Sequence, residues 1–198
     1  MRGKARQAIA LIGLVVLVAG CARPWPASSV KAGQSMEVDL DNDGTPERVT
    51  IDQGSGKLGL TIAPQAGKPW HTGLPGRFAD LRTEDLNGDR LREVLVESTG
   101  PEANTFNLCV IRWAQGRGQV LVPKGGPLAG SVCFRSSYYP PAIEDTTGDA
   151  SSEIMVSVPS AHAGFLDTLV YEWDGHAFSK SDLYMVPPRI VPAATPAP

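Results

Sequence analysis

The sequence predicts an all-β, antiparallel domain made of three repeats, and three observations carry that prediction. Glycine (21) and proline (17) are plentiful while charged residues make up only 20% of the 198. That balance suits many short strands and tight turns rather than a helical bundle. An acidic nine-residue pattern occurs three times, and each copy runs into an apolar, strand-like stretch. Tryptophans follow the three copies at similar distances, two of them beside glycine turns.

The N-terminus reads as an address. Arg2, Lys4 and Arg6 form a basic start, and Ala8 to Ala19 is an apolar run of twelve residues. As a helix rising about 1.5 Å per residue it would cover roughly 18 Å, short of a ~30 Å hydrocarbon core, so it fits a signal peptide better than a spanning helix. Val18-Ala19-Gly20-Cys21 resembles a bacterial lipobox, which implies cleavage before Cys21 and lipidation of that residue. Several acyl chains on one residue anchor durably, where one alone would be marginal. Ala22 stands where an aspartate would resemble an inner-membrane retention signal, which favours the outer membrane, facing the periplasm. Loss of residues 1–20 removes three basic residues and no acid, so 15 basic residues stand against 21 acids and the formal charge moves from −3 to −6. Such a balance argues against a general nucleic-acid binder.

Residues 21–35 are rich in Pro, Ala, Ser and Gly and read as a tether. Residues 187–198 hold five prolines and no strand pattern, and read as a disordered tail. The folded part is expected over residues 36–186. With Cys21 lipidated, Cys109 and Cys133 remain, both in apolar strand-like surroundings. An exported compartment permits a disulfide between them.

The repeats are Asp39-Leu-Asp-Asn-Asp-Gly-Thr-Pro-Glu47, Asp85-Leu-Asn-Gly-Asp-Arg-Leu-Arg-Glu93 and Asp145-Thr-Thr-Gly-Asp-Ala-Ser-Ser-Glu153. Each has Asp at positions 1 and 5 and Glu at position 9. Strands follow at Val49 to Ile51, Val94 to Val96 and Ile154 to Val158. Trp70, Trp113 and Trp173 lie 23, 20 and 20 residues after the three glutamates. Asp174-Gly175 predicts a hairpin after Trp173, because a tight Asp-Gly turn needs positive φ. The repeats start 46 and 60 residues apart, which places an insertion around Pro123 to Pro141 in the second unit. Each unit therefore reads as acidic loop, strand, loop, strand, turn, strand. Units of that size match propeller blades, and three are too few to close a usual ring. The expectation is an open or partial propeller-like domain, with a β-sandwich carrying three acidic turns as the alternative.

The three segments resemble the FG-GAP or VCBS family, whose D-x-N-G-D-G-x-x-D loop precedes a strand in integrin-α-like propellers. That resemblance implies calcium. Its chemistry agrees: calcium takes six to eight hard oxygens, and side chains at positions 1, 3, 5 and 9 with a carbonyl at 7 can wrap one ion. The first loop offers Asp39, Asp41, Asp43, the Thr45 carbonyl and Glu47. The second offers Asp85, Asn87, Asp89 and Glu93, and the third Asp145, Thr147, Asp149 and Glu153. Position 6 is Gly44 in the first loop, where glycine allows the sharp turn, but Arg90 and Ala150 in the others, and a left-handed turn is costly for Ala150. Ten of the 21 acids sit in these loops, so an ion there is expected to be structural.

No catalytic pattern stands out. His71, His162 and His176 lack metal-ligand spacing, and there is no G-x-S-x-G elbow, P-loop or CxxC. The loops Ser98 to Phe106 and Pro159 to Leu166 occupy equivalent places and offer a rim surface, with Asn104, Phe106, His162 and Phe165 as candidate contacts. Tyr138 and Tyr139 add exposed aromatics. The expectation is a non-enzymatic envelope lipoprotein that binds a protein or an envelope polymer. The alternative is an inhibitor or immunity lipoprotein acting on a lysozyme-like peptidoglycan hydrolase, to which lipobox, size and loop type are similar.

Overall fold

The computed structural model describes residues 33, 35–54, 58–162, 164–181 and 189–190. The signal segment, Cys21 and the start of the tether lie outside the described residues, as does the chain after Ile190. Strands run through the described part as three successive antiparallel meanders, none closed into a barrel. The first holds β1 (Ser35–Val38), β2 (Glu47–Gln53), β3 (Leu58–Ala63) and β4 (Trp70–Leu74). The second holds β5 (Arg77–Glu84), β6 (Glu93–Thr99), β7 (Thr105–Ala114) and β8 (Arg117–Leu121), with β9 (Phe134–Ser137) also paired to β7. The third holds β10 (Ala142–Glu144), β11 (Glu153–Pro159), β12 (Phe165–Trp173) and β13 (Phe178–Ser181), with β14 (Arg189–Ile190) also paired to β12.

The sheets stack face to face in chain order, because alternate residues of the middle sheet enter two different cores. Val94, Val96, Cys109, Ile111 and Trp113 join Val49, Ile51, Leu58, Leu60 and Ile62 of the first sheet. Leu95, Leu108, Val110 and Phe134 join Ile154, Val156, Tyr171 and Phe178 of the third. A strand buried on both faces needs a continuous apolar run, as in Leu108 to Ile111. Strand β2 is buried on one face only. Glu47, Val49 and Ile51 point inward while Arg48 is exposed, and its sequence alternates accordingly.

Four expectations change. The acidic pattern does not open each unit; it joins the first strand to the second, at β1–β2, β5–β6 and β10–β11. The three tryptophans are not equivalent: Trp113 and Trp173 lie at or next to the end of the third strand of their meanders, β7 and β12, whereas Trp70 opens the fourth strand, β4, opposite Ile62. The connection after Trp173 is a four-residue loop, since Trp173 pairs with Phe178, and only Gly175 has positive φ. Asp174 organises it, accepting the Ser179 hydroxyl and the Ala177 and His176 N–H groups, and these bonds hold its pKa down at about 2. Finally, Arg189 and Ile190 pair with Leu166 and Phe165, so ordered structure reaches into the expected tail.

The insertion is a strap between sheets. Lys124 makes a parallel bridge to Ser179 at the edge of the third sheet. A 3-10 turn at Gly126–Leu128 then buries Leu128 in the second core. The chain returns beside β7, where Cys133 is disulfide-bonded to Cys109 with Cα atoms 4.4 Å apart. Closing a loop of sequence separation 24 stabilises by about 3 kcal/mol in the chain-entropy estimate.

Gly118 fixes the approach of the first sheet to the second. A Cβ at that position would meet the Trp70 ring at 2.4 Å. Gly118→Ala is therefore expected to lower stability in urea melts by about 1–3 kcal/mol through overpacking. Gly73→Ala, with open space and no positive φ, should stay within about 0.5 kcal/mol of the parent. Equal midpoints for the two variants would contradict the contact.

Candidate metal loops

All three acidic loops leave the same end of their sheets and touch in sequence. The Asn42 side-chain amide donates to the Arg90 carbonyl at 2.6 Å, joining the first loop to the second. The Ser152 N–H donates to the Leu86 carbonyl at 2.7 Å, joining the third to the second. Ten carboxyl groups thus share one rim.

One hydrogen-bond scheme builds each loop. The Asp at position 1 accepts the N–H of position 6: Gly44 to Asp39 at 2.9 Å, Arg90 to Asp85 at 2.8 Å and Ala150 to Asp145 at 3.2 Å. The Asp at position 5 accepts the N–H of position 7: Thr45 to Asp43 at 2.7 Å, Leu91 to Asp89 at 2.9 Å and Ser151 to Asp149 at 2.9 Å. The Glu at position 9 accepts the N–H of position 2: Leu40 to Glu47 and Leu86 to Glu93 at 3.0 Å, and Thr146 to Glu153 at 2.6 Å. The three glutamates are 2%, 0% and 2% exposed, so these bonds satisfy both a buried carboxylate and the amide that leaves the sheet.

The backbone turns left-handed twice per loop. Positions 4 and 6 both carry positive φ: Asn42 and Gly44, Gly88 and Arg90, Gly148 and Ala150. The glycine at position 4 of the second and third loops, which sequence reasoning passed over, is the signal for this. Each loop has one glycine for two such positions, and the other falls to Asn, Arg or Ala.

The loops differ in how their remaining oxygens are used. In the first, ligand atoms of Asp39, Asp41 and Asp43 lie within 4.8 Å of one another. Asp39 Oδ1 and Asp41 Oδ1 are buried there with no hydrogen-bond partner. In the third, Asp145, Asp149 and Glu153 group equally closely. Here hydroxyls already contribute, from Thr146 to Glu153 and from Thr147 to Asp145. The second loop forms no such group among the described residues; Asp89 is paired with Arg112, and Asn87 donates to Glu93 at 3.3 Å. Burial lifts the Glu93 carboxyl from 4.5 to about 7, with Asp89 and Asp85 adding to the rise and the Leu86 N–H and Arg112 opposing it.

The expected partner residues sit at the opposite end. Asn104 and Tyr138 meet there, through a 2.7 Å bond from the Tyr138 N–H to the Asn104 carbonyl. His162 and Phe165 meet in the β11–β12 turn. Tyr138 and Phe165 are 38% and 41% exposed. Phe106 is half-buried in β7, and Tyr139 is half-buried with its carbonyl accepting the Ser136 hydroxyl. A cleft of about 660 Å³ opens at the same end, walled by Leu58, Leu74, Gly76, Thr105 and Val132. The ion pair of Arg135 and Glu102 lies among its lining residues. The three histidines stay apart: His71 in β4 lies 2.8 Å from the Thr61 hydroxyl, while His162 and His176 occupy separate turns. No family model matches the chain, and no match was found among curated proteins or solved structures.

Two outcomes follow from the loop geometry. Ala150→Gly relieves a left-handed alanine and should raise stability by roughly 0.5–1 kcal/mol in chemical denaturation; a loss would contradict the turn. For Glu93, a carboxyl whose pKa is higher in the folded state stabilises the fold fully below its unfolded value. It loses that contribution as pH rises through the folded value. In chelator, stability should therefore fall between about 4.5 and about 7 on the pH scale, by about 3 kcal/mol at most. Glu93→Gln should flatten that fall, and an unchanged slope would contradict the buried carboxyl.

Proposed function

We propose that the protein is a lipid-anchored lipoprotein of the bacterial cell envelope, a non-enzymatic calcium-binding β-repeat module that faces the periplasm. One observation carries the calcium reading: two buried carboxylate oxygens, on Asp39 and Asp41, lack any hydrogen-bond donor in a loop where three aspartates converge. Buried, unpartnered carboxylate oxygens are costly unless a cation shares them. Calcium suits an all-oxygen, flexible cage, whereas magnesium demands stricter octahedral geometry. The third loop is a second candidate site, with part of its oxygen capacity taken by threonine hydroxyls.

The wider reading joins this site to its setting. Consecutive four-stranded meanders packed face to face, with acidic loops on one rim, support a partial propeller related to FG-GAP or VCBS blades. The Cys21 motif supports a lipid anchor in the outer membrane. The far end, with the exposed Tyr138 and Phe165 beside Asn104, Phe106, Tyr139 and His162, is the surface offered to a protein or an envelope polymer. The ion holds the rim and leaves that end free to bind.

Thermal melting tests the metal. An ion at 100 times its Kd contributes about 2.7 kcal/mol, which corresponds to a midpoint rise of roughly 5–10 °C in a chain of this length. Calcium should produce that rise over chelator, and Asp41→Asn should remove most of it. An equal midpoint with calcium and with chelator would contradict the proposal. Incorporation of labelled palmitate, lost in Cys21→Ala, tests the anchor.

A further inference from the structure

We propose that Arg112 is the built-in cation of the second acidic loop, which is closed by a side chain where the first is left for a metal ion. This rests on the reading of the first loop as a cation site. Every carboxylate oxygen of the second loop has a donor. Asp85 takes the Gly88 and Arg90 N–H groups, one on each oxygen. Asp89 takes the Leu91 N–H on Oδ1 and the Arg112 guanidinium on Oδ2. Glu93 takes the Leu86 N–H on Oε2 and the Asn87 amide on Oε1. The Asn87 oxygen is itself occupied by the Asp89 N–H at 3.1 Å. No carboxylate oxygen of this loop is left without a donor, in contrast to the buried oxygens of Asp39 and Asp41, which have none.

Strand register explains why only this loop is closed so. Val94 pairs with Ile111, which places Arg112 opposite Glu93 at the base of the loop. Arg48 pairs with Ala63, so the corresponding residue of the first sheet is Pro64. Ile154 pairs with Tyr171, so that of the third is Glu172. Neither can supply a positive charge. Among the described residues, Asp89 is also the one loop acid within 4.0 Å of a basic group. The Arg112 guanidinium is steadied from the next sheet as well, 5.9 Å from the Trp173 ring centroid. A planar guanidinium between a carboxylate and an aromatic face is well placed for both. The middle of the rim then keeps its shape without metal, while the first loop responds to it.

Calcium titration of the full chain by calorimetry tests this, with terbium luminescence excited through tryptophan as a second readout, since Trp173 adjoins the loop. Arg112→Met should bind one more calcium ion per chain than the parent. The extra ion should disappear in Arg112→Met/Asp85→Asn, and Arg112→Lys, which keeps the charge, should gain none. In the parent background, Asp85→Asn should leave the number of bound ions unchanged, a result readable even if Arg112→Met does not fold. An unchanged ion count in folded Arg112→Met, or an ion lost from Asp85→Asn in the parent background, would overturn the proposal. The two readings separate: if the parent binds no ion and Arg112→Met binds one, the first-loop site fails and the role of Arg112 stands. If Asp41→Asn loses an ion but Arg112→Met gains none, only the role of Arg112 fails.

Discussion

A buried glutamate carboxylate closing the base of each acidic loop is the interaction on which the rim depends. Glu47, Glu93 and Glu153 sit at the first position of β2, β6 and β11 and reach back seven residues to an amide that has just left the preceding strand. Without that bond each loop would leave a buried acceptor and an unpaired donor at once, each costing on the order of 1–3 kcal/mol. With it, the residue at position 2 is held in place. In the first two loops that residue is Leu40 or Leu86, both fully buried, one in each core. The glutamate thus ties the loop to the packing between sheets. The third loop opens on no further sheet among the described residues, and its position 2 is the exposed Thr146.

On this shared frame the three loops use their acidic oxygens in different ways. The first loop holds four acids and leaves two buried oxygens without donors, which favours a cation from solution. The second replaces the central acid with Asn87 and receives Arg112 from β7. The third replaces it with Thr147 and uses two hydroxyls. Sequence equivalence of the loops is therefore not chemical equivalence. The second loop, on the sheet buried on both faces, contacts both neighbouring loops.

Much of this architecture is legible in the sequence because it repeats. Asp at positions 1 and 5 and Glu at position 9 mark the loops, and the apolar runs after them mark the central strands. Cysteine parity points to Cys109 and Cys133. The opening strands are less legible: β1, β5 and β10 carry weak or mixed patterns, and pairing with the strand after the loop defines them. Trp70 misled, since spacing along the chain does not reveal that it packs across sheets onto Gly118. Arg112 was invisible for a related reason. It lies 19 residues beyond Glu93, and only the β6–β7 register brings the two to the same loop. The strap that bridges Lys124 to Ser179 likewise depends on contacts between units.

Anomalous diffraction from wild-type crystals soaked in terbium addresses the central claim, one loop frame with different charge compensation, most directly. Density is expected between Asp39, Asp41 and Asp43, with none between Asp85 and Asp89, where Arg112 should remain on the carboxylate. An empty first loop, or a metal peak in the second with Arg112 displaced, would contradict it.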